Sequence, residues 1–206
     1  MNKNSDQNKA ELLRKIKDEI LNLKSLPLYK ERIQNGVFPV IGEGSNDAEM
    51  VFIGEAPGKN EAMTGRPFCG ASGKVLDKIL LSAGITREDV YITNLVKDRP
   101  PLNRDPNTQE IGAYSPFLDR QLEIIRPQII TTLGRFSMAY IMNKFGLDNE
   151  LKTISKIHGQ VFEGKASWGK ILIAPLYHPA VAVYNSNMLP ELVKDLREVM
   201  SHIKSK

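Results

Sequence analysis

Several short polar and glycine-rich segments of this 206-residue chain carry side chains that could take part in chemistry. They supply two carboxylates, an aromatic ring, an amide and an imidazole: Glu55, Glu61, Phe68, Asn94 and His178. A carboxylate and an imidazole can hold or transfer a proton, and an amide can both donate and accept hydrogen bonds. Taken singly, each has an ordinary structural explanation, because a strand-end Asn is usually a turn residue and a His before Pro is more often structural. Only convergence on one face of the fold would indicate a site, and it would leave the reaction open.

The elements that must bring these side chains together are predicted to be strands alternating with helices. Short apolar runs predict strands over residues 49–53, 90–93, 128–133 and 170–174. Apolar residues at helical spacing predict helices over residues 11–25, 72–81, 108–125, 136–145 and 190–203. Strands separated by helices of this length are typical of an α/β fold with a parallel sheet covered on both faces. Ligands of such sheets bind beyond the carboxyl ends of the strands, which is where the polar segments fall.

Length and composition indicate one folded unit. We expect residues 1–10 to form a polar N-terminal tail and residues 11–206 to form a single domain, because this length suits one core. The formal net charge of +4 and the pI near 9.1 suit a polyanionic partner without establishing one. No apolar run could span a bilayer and no signal-peptide pattern is present, so we expect a cytoplasmic protein. The single cysteine, Cys69, excludes an internal disulfide framework.

A series of short strings occurs along the chain in a fixed order: Gly54-Glu-Ala-Pro-Gly58, Thr64-Gly-Arg-Pro-Phe68, Tyr91-Ile-Thr-Asn94, Arg99-Pro-Pro101 with Asn103-Arg104, Ile125-Arg-Pro127, Leu133-Gly134 and His178-Pro179-Ala180. Each alone is a weak signal, but the series resembles family 4 of the uracil-DNA glycosylase superfamily from about residue 20 to about residue 200. The resemblance implies a four-stranded parallel sheet sandwiched between helices, with an extruded uracil bound at the strand ends. Extrusion is needed because the reacting bond is buried in the duplex stack.

The resemblance implies catalytic roles for Glu55, His178 and Asn103. Glu55 would position the attacking water and stabilise the sugar cation, as glycoside hydrolysis requires. His178 would donate to O2 of the departing uracil anion, helped by backbone N–H groups of the Gly54–Gly58 turn. Asn103, in the loop after the second strand, matches a family residue with a supporting role in catalysis. The division of labour between Glu55 and Glu61 stays open.

The same resemblance implies which residues bind the base. Phe68 would stack on uracil, while the amide of Asn94 would accept from N3–H and donate to O4, a pattern that cytosine does not offer. Glu61 would shape the pocket near C5 and crowd the methyl group of thymine. The set is completed by Gly54, Ala56 and Gly58. The best-known branch of the superfamily has Asp and Tyr at the last two of these positions, so this chain cannot use those side chains.

DNA contacts are expected from three segments: Gly70, Ser72, Gly73 and Lys74, then Arg99 and Arg104, then Pro179, Ala180 and Val181. Backbone N–H groups at a helix start can bind a phosphate, and lysine and arginine can add charge. Residues 179–184 match the family loop that enters the minor groove, where small apolar side chains can wedge between bases. The alternative is a buried connection between a loop and a helix. The loop over residues 97–104 contains no histidine, so no covalent DNA adduct is expected.

The clearest departure from the family concerns its four-iron cluster, which is held by four cysteines. The matching positions in this chain are Leu23, Leu26, Asp98 and Tyr114, and none of them is a thiolate. We therefore expect no cofactor. We expect Leu23, Leu26 and Tyr114 to replace the cluster with apolar packing between the N-terminal helix and the loop.

The leading interpretation is a monofunctional uracil-DNA glycosylase of base excision repair, acting as a monomer on uracil in single- or double-stranded DNA. No lysine occupies an evident nucleophile position, so strand cleavage is not expected. One alternative is a catalytically weak paralogue that binds DNA or bases. Another is a glycosylase with altered base preference, for example for hypoxanthine or xanthine.

Overall fold

A computed structural model of the protein describes residues 3–204, and the side chains of residues 7–202. Within residues 3–204 one sheet contains six strands in the order β1-β3-β2-β4-β6-β5. The strands are β1 (Glu43–Gly44), β2 (Met50–Gly54), β3 (Tyr91–Asn94), β4 (Ile129–Leu133), β5 (Phe162–Ala166) and β6 (Gly169–Leu176). The predicted strands correspond to β2, β3, β4 and β6, which lie side by side at the centre.

The expectation of a purely parallel four-stranded sheet is wrong at both edges. The four central strands are parallel, but β1 pairs antiparallel with β3, and β5 pairs antiparallel with β6. Strand β1 has only two residues, and β5 places polar residues on an edge that one neighbour covers. Edge strands of this kind lack the continuous apolar run that marks a buried strand. The sheet is therefore mixed.

Helices cover both faces of the sheet. They are α1 (Lys3–Asn22), α2 (Tyr29–Gln34), α3 (Lys59–Thr64), α4 (Ala71–Ser82), α5 (Thr108–Ile125), α6 (Arg135–Lys144), α7 (Ile154–Ile157), α8 (Ala180–Tyr184) and α9 (Leu189–Lys204). Helix α1 begins earlier than predicted, so most of the residues assigned to a polar tail are helical, while Met1 and Asn2 lie outside the described residues. The first turns carry no apolar stripe, and apolar periodicity is the signal from which the start was inferred.

Alternation along β2 divides the core into two layers. Val51 and Ile53 pack with Ile16 and Ile20 of α1 and with residues of α5, whereas Phe52 faces the opposite layer with residues of α4 and α9. Side chains of successive strand residues point to opposite faces, which explains the division. Among the described residues, no helix combines the length and apolar character needed to cross a membrane. The sandwich of helices around a sheet agrees with the predicted architecture.

Candidate active site

A pocket opens at the carboxyl edge of the sheet, where β2, β3 and β6 end. It has about 300 Å³ of empty space and is lined by Ala56, Gly58, Glu61, Phe68, Ser72, Asn94 and His178. The lining combines an aromatic ring with a few polar side chains, which is typical of a site for a small molecule or a single base. The structure therefore brings most of the predicted base-binding residues together.

Strand β2 ends at Gly54, which has no side chain, and this allows Asn94 and Phe68 to approach its Cα atom closely. A Cβ atom built on Gly54 would overlap Oδ1 of Asn94 and lie 2.7 Å from Cζ of Phe68. Any larger residue would push the amide and the ring apart. Gly54 thus contributes to the pocket by close approach.

Phe68 is held in a strained backbone conformation by a residue that the sequence analysis missed. Its φ of 48° lies in the left-handed region, which a bulky residue seldom adopts. The Arg87 guanidinium donates to the carbonyl oxygens of Phe68 at 3.2 Å and Pro67 at 2.6 Å, and it pairs with Asp77 at 3.0 Å. Because Arg87 is distant in sequence from Phe68, no local pattern could have identified it. The guanidinium stabilises the conformation that presents the ring to the pocket.

Asn94 offers an unused amide to the pocket. The residue is 2% exposed, and no hydrogen bond between described residues uses its side chain. Its backbone carbonyl accepts from Lys97 Nζ at 2.7 Å. Asn94 lines the pocket, and its amide atoms are not among the enclosed polar atoms that lack a partner, so water or a ligand can reach them. The arrangement leaves both the donor and the acceptor of Asn94 available for a base edge.

Lys97 is a second residue that the sequence analysis did not single out. It is fully buried below Asn94, and Nζ also donates to Thr93 Oγ1 at 2.7 Å and to Gln121 Oε1 at 2.5 Å. Burial lowers the pKa of this ammonium, while the three close acceptors use all of its protons. Lys97 joins β3 to α5 and fixes the end of the strand that carries Asn94.

The His178 ring has a defined tautomer. Its Nδ1 accepts from the Ala180 backbone N–H at 3.1 Å, so the proton of the neutral ring is assigned to Nε2. Burial lowers the pKa of His178 to about 4, against a smaller opposing effect of Glu61. The ring lies 5.7 Å from the Phe68 ring, centroid to centroid. At neutral pH His178 is an uncharged donor beside the aromatic platform.

The two predicted carboxylates differ in position, because Glu61 lines the pocket and Glu55 does not. Glu61 lines the pocket, and its Oε1 accepts from the Gly70 N–H at 2.8 Å. A Cβ atom at Gly58 would lie 2.7 Å from Glu61 Oε2, so this carboxylate occupies the space that a side chain at Gly58 would need. Glu55 is not among the pocket-lining residues.

Glu55 instead lies against the start of α6. Burial raises the pKa of its carboxyl group, and the nearby backbone N–H groups of Phe136 and Arg135 oppose part of that rise. Gly134 separates Glu55 from His178, because a Cβ atom there would overlap Glu55 Oε1 and lie 3.4 Å from His178 Cβ. Gly134 also has a φ of 98°. The Glu55 carboxylate and the Cβ atom of His178 therefore both adjoin Gly134.

Asn103 and the two predicted loop arginines lie outside the pocket lining. Asn103 is exposed, with a φ of 55°, and its Oδ1 accepts from Arg99 Nε at 2.7 Å. Arg104 makes a bidentate pair with Glu110, at 2.9 and 2.6 Å. The loop is therefore braced by its own side chains. Catalytic and DNA-binding roles for these residues stay predictions.

The other predicted DNA-binding residues differ in accessibility. Lys74 is exposed and Ser72 lines the pocket, but Gly73 is buried and the Gly70 N–H is already used by Glu61. Their roles in DNA binding stay predictions.

In the segment over residues 179–184, which we predicted to wedge between bases, the residues singled out for DNA binding are not the most exposed ones. Pro179 is buried, whereas Ala180 and Val181 are half-buried. The exposed side chains of this segment are Val183 and Tyr184, at 42% and 90%. The outward-facing end of α8 is therefore one turn further along the chain than the residues that we singled out.

The four positions that match the family's cluster ligands do not fit an iron–sulfur cluster. Leu26 and Tyr114 are buried in one core layer and Leu23 is 36% exposed. Asp98 is buried, accepts from the Tyr114 hydroxyl at 2.6 Å, and pairs with Arg32. A carboxylate engaged by a phenol and a guanidinium is not a soft thiolate donor. The expected apolar packing is found for Leu26 and Tyr114, which lie in one core layer, but Leu23 is partly exposed, and the Tyr114 hydroxyl also binds the Asp98 carboxylate of a buried ion pair.

Comparison with known proteins identifies the class to which this fold and pocket belong. Residues 41–200 match the family described as the uracil DNA glycosylase superfamily. Type-4 uracil-DNA glycosylase of Sulfurisphaera tokodaii is 45% identical over 91% of this chain and 83% of its own length. The proteins of the same name from Saccharolobus solfataricus and Thermotoga maritima are 46% and 37% identical, over 93% and 95% of this chain and 86% and 97% of their own lengths. The chain belongs to the type-4 uracil-DNA glycosylase family.

Proposed function

We propose that this protein is a monofunctional glycosylase that hydrolyses the N-glycosidic bond of uracil in DNA during base excision repair. The observation that carries the proposal is the convergence of three groups on one small pocket. They are the unused amide of Asn94, the ring of Phe68 and the uncharged Nε2–H of His178. A flipped uracil needs an edge reader, a stacking platform and a donor for its departing anion.

Recognition would precede bond cleavage. The flipped base would stack on Phe68, while Asn94 would accept from N3–H and donate to O4. Cytosine would face both groups with the wrong atoms, which leaves two buried polar groups unpaired. The Glu61 carboxylate, held by the Gly70 N–H, would crowd C5 and disfavour thymine.

In the cleavage step the C1′–N1 bond breaks and its electron pair leaves with uracil. The neutral Nε2–H of His178 would donate to O2, where negative charge grows. The sugar becomes cationic, and the Glu55 carboxylate would stabilise it, orient a water whose oxygen attacks C1′, and accept the proton that this water loses. The proximity of Glu55 to His178 across Gly134 supports this assignment, and the pocket-lining place of Glu61 supports its role in fit. The protein would act as a monomer.

A panel of oligonucleotides tests the proposal. Single- and double-stranded substrates carrying uracil, thymine, hypoxanthine or xanthine are incubated with purified protein, and abasic sites are measured after alkali. We expect excision of uracil in preference to the other bases. Preference for hypoxanthine or xanthine would establish the altered-specificity alternative, and binding without excision would establish the weak paralogue.

The variant Asn94→Asp tests how the base is read. A carboxylate can accept from the cytosine amino group but cannot donate to O4, so uracil excision should fall by roughly tenfold or more relative to cytosine excision. Asn143→Asp is the matched control, because Asn143 is exposed near the end of α6 remote from the pocket. Unchanged uracil excision by Asn94→Asp would show that another group reads the base.

A further inference from the structure

Three side chains from separate segments form a buried polar network below the loop that follows β3. Arg32 Nη1 donates to both oxygens of Asp98, at 3.1 and 2.9 Å, and the Tyr114 hydroxyl donates to Asp98 Oδ2 at 2.6 Å. The three residues are 3%, 1% and 0% exposed, respectively. The Arg32 guanidinium also lies 4.9 Å from the centre of the Tyr29 ring. The pair of opposite charges is therefore enclosed and well satisfied.

The network connects four parts of the chain. Arg32 belongs to α2, and its Nη2 donates to the carbonyls of Ile20 and Leu21 in the last turn of α1, at 3.1 and 3.0 Å. Asp98 follows β3, and Tyr114 belongs to α5. Carbonyls at a helix C-terminus have no partner within the helix, so a guanidinium there satisfies them and complements the helix dipole.

Two members of the network stand at positions that match the family's cluster ligands. These are Asp98 and Tyr114, and the third position, Leu26, is buried in the same core layer as Tyr114. The donor set cannot hold iron through thiolates. The same segments that four cysteines would tie together through metal are instead tied by an ion pair and a phenol.

We propose that the Arg32–Asp98–Tyr114 network replaces the cluster as the tie between the N-terminal helices and the loop over residues 99–104. Asp98 directly precedes Arg99, whose Nε is bonded to Asn103. Fixing Asp98 therefore fixes the base of the loop that carries both side chains, for which roles in DNA binding and catalysis are predicted. The three residues are positioning residues, and the activity part of this inference rests on the proposed function.

Stability measurements test the network without reference to activity. A buried ion pair that loses one partner leaves an uncompensated charge, so Arg32→Met should lower the melting temperature by roughly 6–20 °C. Asp98→Asn should act in the same direction, and Tyr114→Phe should act more weakly. Arg120→Ala is the matched control, because Arg120 also links α5 to α1, through Glu19 at 2.5 Å, but both side chains are nearly half exposed. An Arg32→Met effect no larger than that of Arg120→Ala would overturn the proposal.

A kinetic split distinguishes positioning from a purely structural role. Below the melting temperature of the variant, Arg32→Met should raise KM for uracil-containing DNA several-fold while kcat and inhibition by free uracil stay within about twofold. Partial unfolding alone would lower the active fraction and leave KM unchanged, which would contradict the positioning role. If the wild-type protein excises no uracil, the affinities of the wild-type protein and Arg32→Met for an uncleaved DNA duplex are compared instead. The positioning role of the network and the proposed glycosylase function can therefore fail separately.

A variant with cysteine at four positions tests whether an iron–sulfur cluster can take over the role of the network. The four substituted positions are Leu23, Leu26, Asp98 and Tyr114. Without metal this variant should melt lower and show the raised KM, because the network is removed. Anaerobic addition of ferric iron, sulfide and a thiol reductant, which reduces part of the iron, should load about four irons per chain and restore both properties. A three-cysteine control that retains Leu23 should stay at the metal-free values. A folded four-cysteine variant that takes up no more iron than this control, or that loads iron with no recovery, would overturn the equivalence.

Discussion

Protonation of His178 at Nδ1 is incompatible with the hydrogen bond that this nitrogen accepts from the Ala180 N–H. Burial lowers the pKa of His178 to about 4, and the backbone contact favours the same neutral form. At the scale of single residues, the pocket thus supplies a neutral donor instead of a cation. An uncharged donor strengthens its hydrogen bond as charge grows on the leaving group, so its contribution is specific to the transition state.

Excision catalysed by His178 should therefore show no histidine titration near neutrality. We expect the contribution of His178 to kcat to stay constant from about pH 8 to about pH 5.5 and to fall as the pH approaches 4. The stability of the folded protein should also decrease as the pH falls. The unfolded chain binds a proton at this histidine more readily than the folded chain does, so the contribution of His178 to the unfolding free energy is lost between about pH 6.5 and pH 4. The ratio of single-turnover pH–rate profiles for the wild-type protein and His178→Ala measures the first effect, because the titration of Glu55, whose pKa is raised by burial, is common to both.

The matched comparison is His178→Ala against His202→Gln, a histidine exposed on α9. Loss of the donor should slow excision by roughly 100- to 1000-fold with little change in affinity for uracil-containing DNA, whereas His202→Gln should leave both values as they are. Equal losses of rate and affinity in His178→Ala would show that the ring positions substrate and does not act on the leaving group.

At the scale of elements, the pocket depends on connections between segments that are separate in sequence. The turn before α4 presents Phe68, but Arg87, between α4 and β3, holds the carbonyls of that turn. Similarly, Lys97 joins the end of β3 to Gln121 of α5. Each link is a charged donor bound to neutral acceptors in a half-buried or buried place, where such hydrogen bonds are strongest. The shape of the pocket is therefore a property of the loops together.

Removing the Arg87 guanidinium should release the Phe68 turn. Two charge-assisted hydrogen bonds would be lost, so Arg87→Ala should lower kcat/KM for uracil excision by roughly tenfold or more. Arg197→Ala is the control, because Arg197 donates to the Ser82 carbonyl from an exposed place on α9. Excision kinetics and the melting temperature are measured for both variants. A fall in melting temperature with unchanged kcat/KM would mean that Arg87 stabilises the fold without shaping the pocket.

At the scale of the whole molecule, the net charge of +4 and the exposed cations among the predicted DNA-binding residues suit a polyanion. Lys74 is exposed on α4, and Arg104 is 44% exposed in the loop after β3. Phosphate contacts by such side chains release counterions, so binding becomes weaker as salt increases. We expect the charge of the whole molecule to contribute affinity and orientation on DNA, and the pocket to contribute base specificity.

Affinity for uracil-containing DNA should therefore fall steeply with ionic strength. With two or three phosphates neutralised, we expect a loss of roughly ten- to forty-fold between about 50 and about 200 mM salt. Fluorescence anisotropy of a labelled duplex with Glu55→Ala protein measures binding without turnover. Inhibition by free uracil is the internal control, because a neutral ligand releases no counterions. A flat salt response for DNA would favour a small-molecule ligand over a nucleic acid.

Local patterns in the sequence determined the central strands and the helices that follow them. The apolar runs over residues 49–53, 90–93, 128–133 and 170–174 correspond to β2, β3, β4 and β6, because buried parallel strands need continuous apolar residues. The order of the elements then placed the polar strand ends at one edge, and the ordered strings by themselves indicated the family. Phe68, Asn94 and His178 followed from these signals.

Only the tertiary structure decided which partners those residues have. Arg32 meets Asp98 across 66 positions, and Arg87 meets the Phe68 carbonyl across 19, so neither pair has a local signature. The tautomer of His178 and the engagement of Gly70 by Glu61 depend likewise on single backbone atoms brought close by folding. Sequence periodicity reports which side of an element is buried, because burial repeats along the chain. Pairing between distant segments leaves no such repeat, since it depends on how the elements pack in three dimensions.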